Sequence, residues 1–169
     1  MFSLHHVGHH VGEIKASTEE HKTEAESVLN TLDSTVHSTA HQHMTTLISH
    51  LDNLSDSLDS IISLSSTRRV QGSSSSSCSQ IRDVLLSYQT ALIHVERILS
   101  HLDAIGVTGI SSVDTFVSKS KEAFETKLST LTSHQLSLKS SHESCFSSST
   151  TMASSSTTSG EYSTTKVKS

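Results

Sequence analysis

Residues 44–61 of the chain read MTTLISHLDNLSDSLDSI. Apolar residues recur in this stretch at steps of three and four, which places them on one side of a helix. The spacing extends back toward Ser17, and two successive steps of four between Val36 and Met44 interrupt the heptad register. The pattern predicts one helix over residues 17–66 with a single apolar seam. The predicted interaction seam comprises Leu29, Leu32, Val36, Met44, Leu47, Leu51, Leu54, Leu58 and Ile61.

The start and length of this helix have consequences for its packing. Ser17 followed three residues later by Glu20 matches a capping box, which predicts that the helix begins there. At ~1.5 Å per residue the helix would be about 70 Å long, which exceeds the diameter of any globule that this chain could form. Such a helix needs partners along its seam, and residues 25–44 are expected to project as a partner-binding surface.

Two further helices are predicted over residues 80–105 and 111–142. Apolar residues keep helical spacing in both, and a second stripe widens the apolar face of the first. Gly106 and Gly109 interrupt the pattern, and a connection this short makes the flanking helices antiparallel neighbours. The predicted fold class is all-α: a long helix packed on an antiparallel helical hairpin, as a three-helix bundle or coiled coil.

The remaining segments are rich in small and polar residues. Residues 1–16 contain two glycines and a repeated His-His-Val-Gly, which predicts a flexible His-rich arm. Residues 67–79 form a predicted Ser-rich linker, and residues 146–169 form a predicted disordered Ser/Thr-rich tail. The folded helical domain is therefore expected to span residues 17–145.

Composition and charge argue against several classes of function. The net charge is −5, and Arg68-Arg69 is the only pair of adjacent basic residues. Because surfaces that bind nucleic acid need clustered Lys and Arg, nucleic-acid binding is not expected. No run approaches the ~20 apolar residues of a transmembrane helix.

The two cysteines, Cys78 and Cys145, lie far apart and match no metal-binding spacing. We interpret them as free thiols of a soluble intracellular protein, most simply a cytoplasmic one. A disulfide between them is the alternative.

The histidines suggest a divalent metal site, since neutral imidazoles bind Zn, Cu or Ni. The alternative interpretation is that these histidines are ordinary polar residues of a leader and of a helix surface. His37 and His41 lack the intervening Glu of a metallohydrolase motif. A belt that adds His43 and His50 could instead make helix association sensitive to pH. The candidate metal ligands are His5, His6, His9, His10, His37 and His41.

The sequence offers no motif for catalysis, because it has no nucleophile elbow and no phosphate-binding glycine loop. We therefore expect no enzyme and no resident cofactor. The leading hypothesis is a helical interaction or scaffold protein that self-associates, or binds a protein partner, through its coiled-coil seam. The alternatives are a His-mediated metal-binding protein and a peripheral membrane protein with amphipathic helices.

The composition, rich in Ser, Thr, His and Leu on a helical pattern, resembles that of accessory proteins of some plant viruses, including the Ser-rich protein of allexiviruses. The absence of proline departs from that resemblance. The resemblance implies a virus-encoded accessory or assembly factor with the same helical architecture.

Overall fold

The computed structural model describes residues 4–66 and 74–146. These residues form four long helices: α1 Leu4–Leu29, α2 Ser38–Ser66, α3 Ser74–Ile105 and α4 Ser111–Ser141. Successive helices are antiparallel neighbours, and α4 closes the ring against α1, where the contact is least extensive. The all-α bundle that the sequence predicts is confirmed.

The bundle core is largely aliphatic, with Tyr88, Phe116 and Phe124 as its large aromatic side chains. Tyr88 and Phe124 are fully buried, Phe116 is 4% exposed, and the rest of the core is built mainly from Leu, Ile, Val, Met and Ala on all four helices. Each helix therefore buries one stripe against two neighbours. Burial of such side chains contributes roughly 1.5–3 kcal/mol each and supplies the main driving force for the fold.

The single helix predicted over residues 17–66 is wrong, because the chain reverses between residues 30 and 37. Asn, Asp, Ser and Thr in this segment compete with the helical backbone for hydrogen bonds. The Asp33 carboxylate accepts hydrogen bonds from the backbone N–H groups of Thr35 and Val36, at 2.7 and 2.9 Å. These two bonds lower the pKa of Asp33, and the bond from Val36 has the larger effect. The step irregularity near Val36 marks a turn between two helices.

The flexible arm predicted for residues 1–16 is wrong over residues 4–16, because α1 begins at Leu4. Val7 and Val11 are fully buried against the bundle, and this burial offsets the helix propensity lost at Gly8 and Gly12. The predicted capping box is not formed. Ser17 lies inside α1, and the hydroxyl of Thr18 donates to the carbonyl oxygen of Ile14 one turn earlier.

The predicted hairpin agrees closely with α3 and α4. Gly106 has a φ of 60°, the left-handed conformation expected just beyond a helix C-terminus. Ser111 does not cap α4; instead Asp114 reaches back to accept hydrogen bonds from Thr108 and from the backbone N–H of Gly109. Helix α3 begins at Ser74, so residues 74–79 of the predicted linker are helical. Residues 67–73, and the predicted tail from 147 onward, lie outside the described residues.

A disulfide joins Cys78 near the start of α3 to Cys145 just beyond α4, with Cα atoms 5.2 Å apart. The Arg82 guanidinium donates to the carbonyl oxygen of Cys145 at 2.8 Å and ties down the same end. The prediction of free thiols is therefore wrong. The cysteines are 67 residues apart in sequence, and only the antiparallel packing of α3 and α4 brings them together.

None of the helices in the described part of the chain has the length and apolar character that a membrane span requires.

Candidate functional site

The predicted interaction seam lies largely inside the bundle. Most of its residues have 5% of their surface exposed or less, Leu29 is half-buried, and Val36 is 75% exposed. A seam that is already packed against helices of the same chain is not available to a second chain while the bundle is folded. The buried members are Leu32, Met44, Leu47, Leu51, Leu54, Leu58 and Ile61.

The six histidines predicted as metal ligands are not brought together. His6, His9 and His10 are exposed near the start of α1, and the backbone of His5 belongs to the same helix. His37 and His41 lie at the start of α2, at the opposite end of the bundle. Across residues 4–66 and 74–146, no three His, Cys, Asp or Glu side chains are grouped to hold a metal ion.

The cleft between α1 and α4 contains a buried cationic side chain. The Lys127 ammonium donates to the Ser17 hydroxyl at 2.8 Å and lies 4.8 Å from the centre of the Phe124 ring. Burial lowers the pKa of Lys127, and the Glu20 carboxylate opposes that shift. The Lys127–Ser17 hydrogen bond therefore links α4 to α1 across this cleft.

The outer surface of α3 and α4 carries an apolar groove of about 410 Å³. Leu86 and Leu136 line the groove from α3 and α4 and are 62% and 61% exposed, so they form an apolar patch together with the other apolar side chains of the groove. The groove is lined by Arg82, Leu85, Leu86, Gln89, Gln135, Leu136, Lys139 and Phe146. Exposed leucines that face each other across a groove are typical of an interaction surface.

On α3, the residues along this surface form a pattern centred on a polar residue. An apolar residue lies on each side of it, and the two ends carry opposite charges. Leu86 precedes Gln89 by three residues and Ile93 follows it by four, so all three lie on one side of the helix. Arg82 and Glu96 stand beyond them, one at each end, and both are exposed.

Helix α4 repeats this arrangement in the opposite chain direction. Leu128 and Leu136 lie four residues to either side of the exposed Thr132. Glu125 and Lys139 stand beyond them at the two ends. Since α3 and α4 are antiparallel, both basic residues lie toward the disulfide end and both acidic residues lie toward the other end. We call these ten residues of α3 and α4 the outer face.

The sequence did contain a signal for the outer face. Leu86 and Ile93 are seven residues apart and belong to neither of the two apolar stripes predicted for residues 80–105. An apolar pair outside every core stripe indicates a second surface to be covered.

We expect the bundle to be less stable in acid, because five of its histidines are partly or fully buried. Burial is the main cause that lowers the pKa of each one below its ordinary value of 6.5. Nearby cationic groups add to the effect, as Lys127 does for His21 and Arg97 for His94. Because the unfolded chain binds these protons more readily, stability should be complete above pH ~6.5 and fall as the pH drops toward 5. The five are His21, His50, His94, His101 and His134.

Urea unfolding at pH 7.5, 6.5, 5.5 and 5.0 tests this prediction. The midpoint should fall with each step, and a His21→Gln/His94→Gln variant should show a shallower decline. An unchanged midpoint across this range would refute it. Hydrogen bonds lower the pKa of carboxylates such as Asp114, so their contribution to stability is lost only at a lower pH than that of the histidines.

Comparison with known proteins adds no assignment: no family model matches the chain, and neither does any curated protein or solved structure.

Proposed function

We propose that the protein is a non-enzymatic helical interaction protein that self-associates through the outer face of α3 and α4. The observation that carries this proposal is the antisymmetric placement of charge about an apolar centre, in which four apolar side chains flank Gln89 and Thr132. A second copy of the chain is the proposed occupant of the groove.

The pattern on the outer face is self-complementary under a two-fold axis. A two-fold axis that lies in the interface, along the line from Gln89 to Thr132, would place each helix against its own copy with the two ends exchanged. Lys139 of one copy would then face Glu125 of the other, and Arg82 would face Glu96 in the same way. Isologous dimers require such a surface, on which each residue finds its complement in the second copy.

The apolar centre would supply most of the affinity, and the charged ends would fix the orientation. Leu86, Ile93 and Leu136 would leave water on association, at roughly 25 cal/mol per Å² of apolar area. Paired charges at a rim contribute more to orientation and to association rate than to affinity.

Replacing Leu86 and Leu136 together by Glu should abolish the dimer. Two charges would be placed in the apolar centre, where they would be desolvated without partners. Size-exclusion chromatography with light scattering should give about twice the chain mass for the wild type and the chain mass for the variant.

Val36→Glu/Val107→Glu is the matched control, since it makes the same change in charge at two exposed valines away from the outer face, at the end opposite the disulfide. That variant should remain dimeric. Equal masses for the two variants would count against the outer face as the interface, and a monomeric wild type would count against self-association.

The disulfide bears on the compartment in which the protein works. Disulfides persist in oxidising compartments and are rare in the cytosol. We infer an oxidising compartment in place of the cytoplasm. Alkylation of free thiols in protein isolated from its natural source should leave both Cys78 and Cys145 unmodified.

A further inference from the structure

Four histidines form a ladder between α2 and α3, on a different side of the bundle from the outer face. The Nδ1 atoms of His43 and His101 lie 2.9 Å apart, and those of His50 and His94 lie 3.2 Å apart. The rings of His50 and His101 are stacked, with centres 5.5 Å apart, so the two pairs are continuous. Two histidines come from each helix, one heptad apart, in matching register. All four side chains are half-buried.

Each pair can be held together by a hydrogen bond between neutral imidazoles. One ring then carries its proton on Nδ1 and donates, and the other accepts with the Nδ1 lone pair. If the donor ring moves its proton to Nε2, both Nδ1 lone pairs become free to bind a metal ion. This tautomer change leaves the number of protons unaltered.

The separation of these nitrogen atoms also suits a metal ion. Two imidazole nitrogens bound to one ion at ~2.1 Å lie about 3.0–3.4 Å apart at ordinary tetrahedral or octahedral angles. The observed Nδ1–Nδ1 distances of 2.9 and 3.2 Å are close to that range, and a turn of each ring would direct its lone pair from the facing nitrogen toward an ion beside both. Imidazole nitrogen is a preferred ligand of Cu²⁺, Zn²⁺ and Ni²⁺, and Cu²⁺ is bound most tightly in this series.

We propose that the His43–His101 and His50–His94 pairs are two bidentate sites for a divalent transition metal, which would link α2 to α3. Water would complete the coordination at the exposed side of each ion. This differs from the ligands predicted in the sequence, because two of these four histidines are supplied by α3 and none by the N-terminal repeat.

The surroundings of His50, His94 and His101 lower the pKa of each imidazole and so favour its neutral form, the form that binds metal. Burial is the main cause of the lowered pKa of His94 and of His101. The Arg97 guanidinium also lowers the pKa of both. Arg97 also repels a bound cation, so affinity should rest on the paired ligands and not on the local potential. No carboxylate is among the groups that shift these histidines.

The test is urea unfolding of the full chain at pH 7.5, with and without CuCl2. An ion that binds only the folded protein lowers the unfolding equilibrium constant about 100-fold per site at a concentration of 100 times its Kd. A His94→Gln/His101→Gln variant removes one ligand from each pair, and its unfolding should be almost insensitive to Cu²⁺. His94→Gln alone and His101→Gln alone each spare one pair and should give intermediate shifts.

A His6→Gln/His9→Gln variant is the matched control, since it removes two exposed imidazoles of α1 and leaves the ladder intact. It should respond to Cu²⁺ as the wild type does. Circular dichroism without metal checks that each variant is helical, and the single variants keep the test decisive if the double variant unfolds. Equal Cu²⁺ shifts in the wild type and the ladder variants, or no shift in the wild type, would overturn the proposal.

Discussion

Reduction of the disulfide should lower the free energy of unfolding by about 4 kcal/mol. The bond closes a loop with a sequence separation of 67 residues, and the chain-entropy model assigns roughly that loss to a loop of this size. The effect should be largest at the end of the bundle where Arg82 also contacts Cys145. Urea unfolding with and without dithiothreitol measures it.

A Cys78→Ser/Cys145→Ser variant is the control for this experiment. It should unfold at the midpoint of the reduced wild type and should not respond to dithiothreitol. If the wild type has the same midpoint in both conditions, the two cysteines are not linked in the folded protein.

Replacing Leu54 by Ala should cost about 2–5 kcal/mol, the usual range for a fully buried leucine. Leu54 lies in the seam of α2, and this seam is packed inside one chain. The loss should therefore be the same at every protein concentration below that of dimer formation. Chemical unfolding at several concentrations checks both statements.

Val107→Ala provides the comparison, since Val107 is 89% exposed and its change should stay within about 0.5 kcal/mol. A Leu54→Ala loss that grew with protein concentration would show that the seam joins two chains, as the sequence pattern first suggested.

The helical hairpin was predictable because its signals are local. Gly106 takes the left-handed conformation that its residue type permits, and the predicted start of α4 at Ser111 agrees with the structure. Helix α1 was not predictable in the same way. Its core stripe keeps steps of three and four from Leu4 to Leu29, but Thr18 and His21 occupy two of the positions. Because these two positions are polar, the apolar pattern is interrupted in the sequence. Gly8 and Gly12 in turn make the first residues of α1 look unfavourable for a helix.

The reversal between α1 and α2 was missed for a related reason. Residues 25–61 keep helical spacing on both sides of the turn, so periodicity alone gives one long helix. The distinguishing signal is the side chain of Asp33, which can accept from the following backbone amides. An Asp residue is also common on the surface of a helix, so residue type alone does not predict the turn. The packing of α1 against α2 decides it.

The candidate sites depend on register between helices, which one sequence does not specify. His43 and His50 stand one heptad apart, but their partners His94 and His101 are identified only once α2 and α3 are aligned. The outer face has the same character, since the charges at its ends become complementary only when α3 and α4 are placed side by side. For each site, the sequence shows the spacing of residues within one helix but not which residues of the neighbouring helix lie beside them.

Self-association through a two-fold outer face predicts a specific response to an exchange of charge. Lys139→Glu and Glu125→Lys should each weaken the dimer about tenfold or more, because like charges would then face each other at the rim. Arg82 is left unchanged because it contacts Cys145. An equimolar mixture of the two variants, one carrying a mass tag, should restore a mixed dimer in light scattering. Wild-type association in both single variants, or no mixed dimer, would contradict the claim.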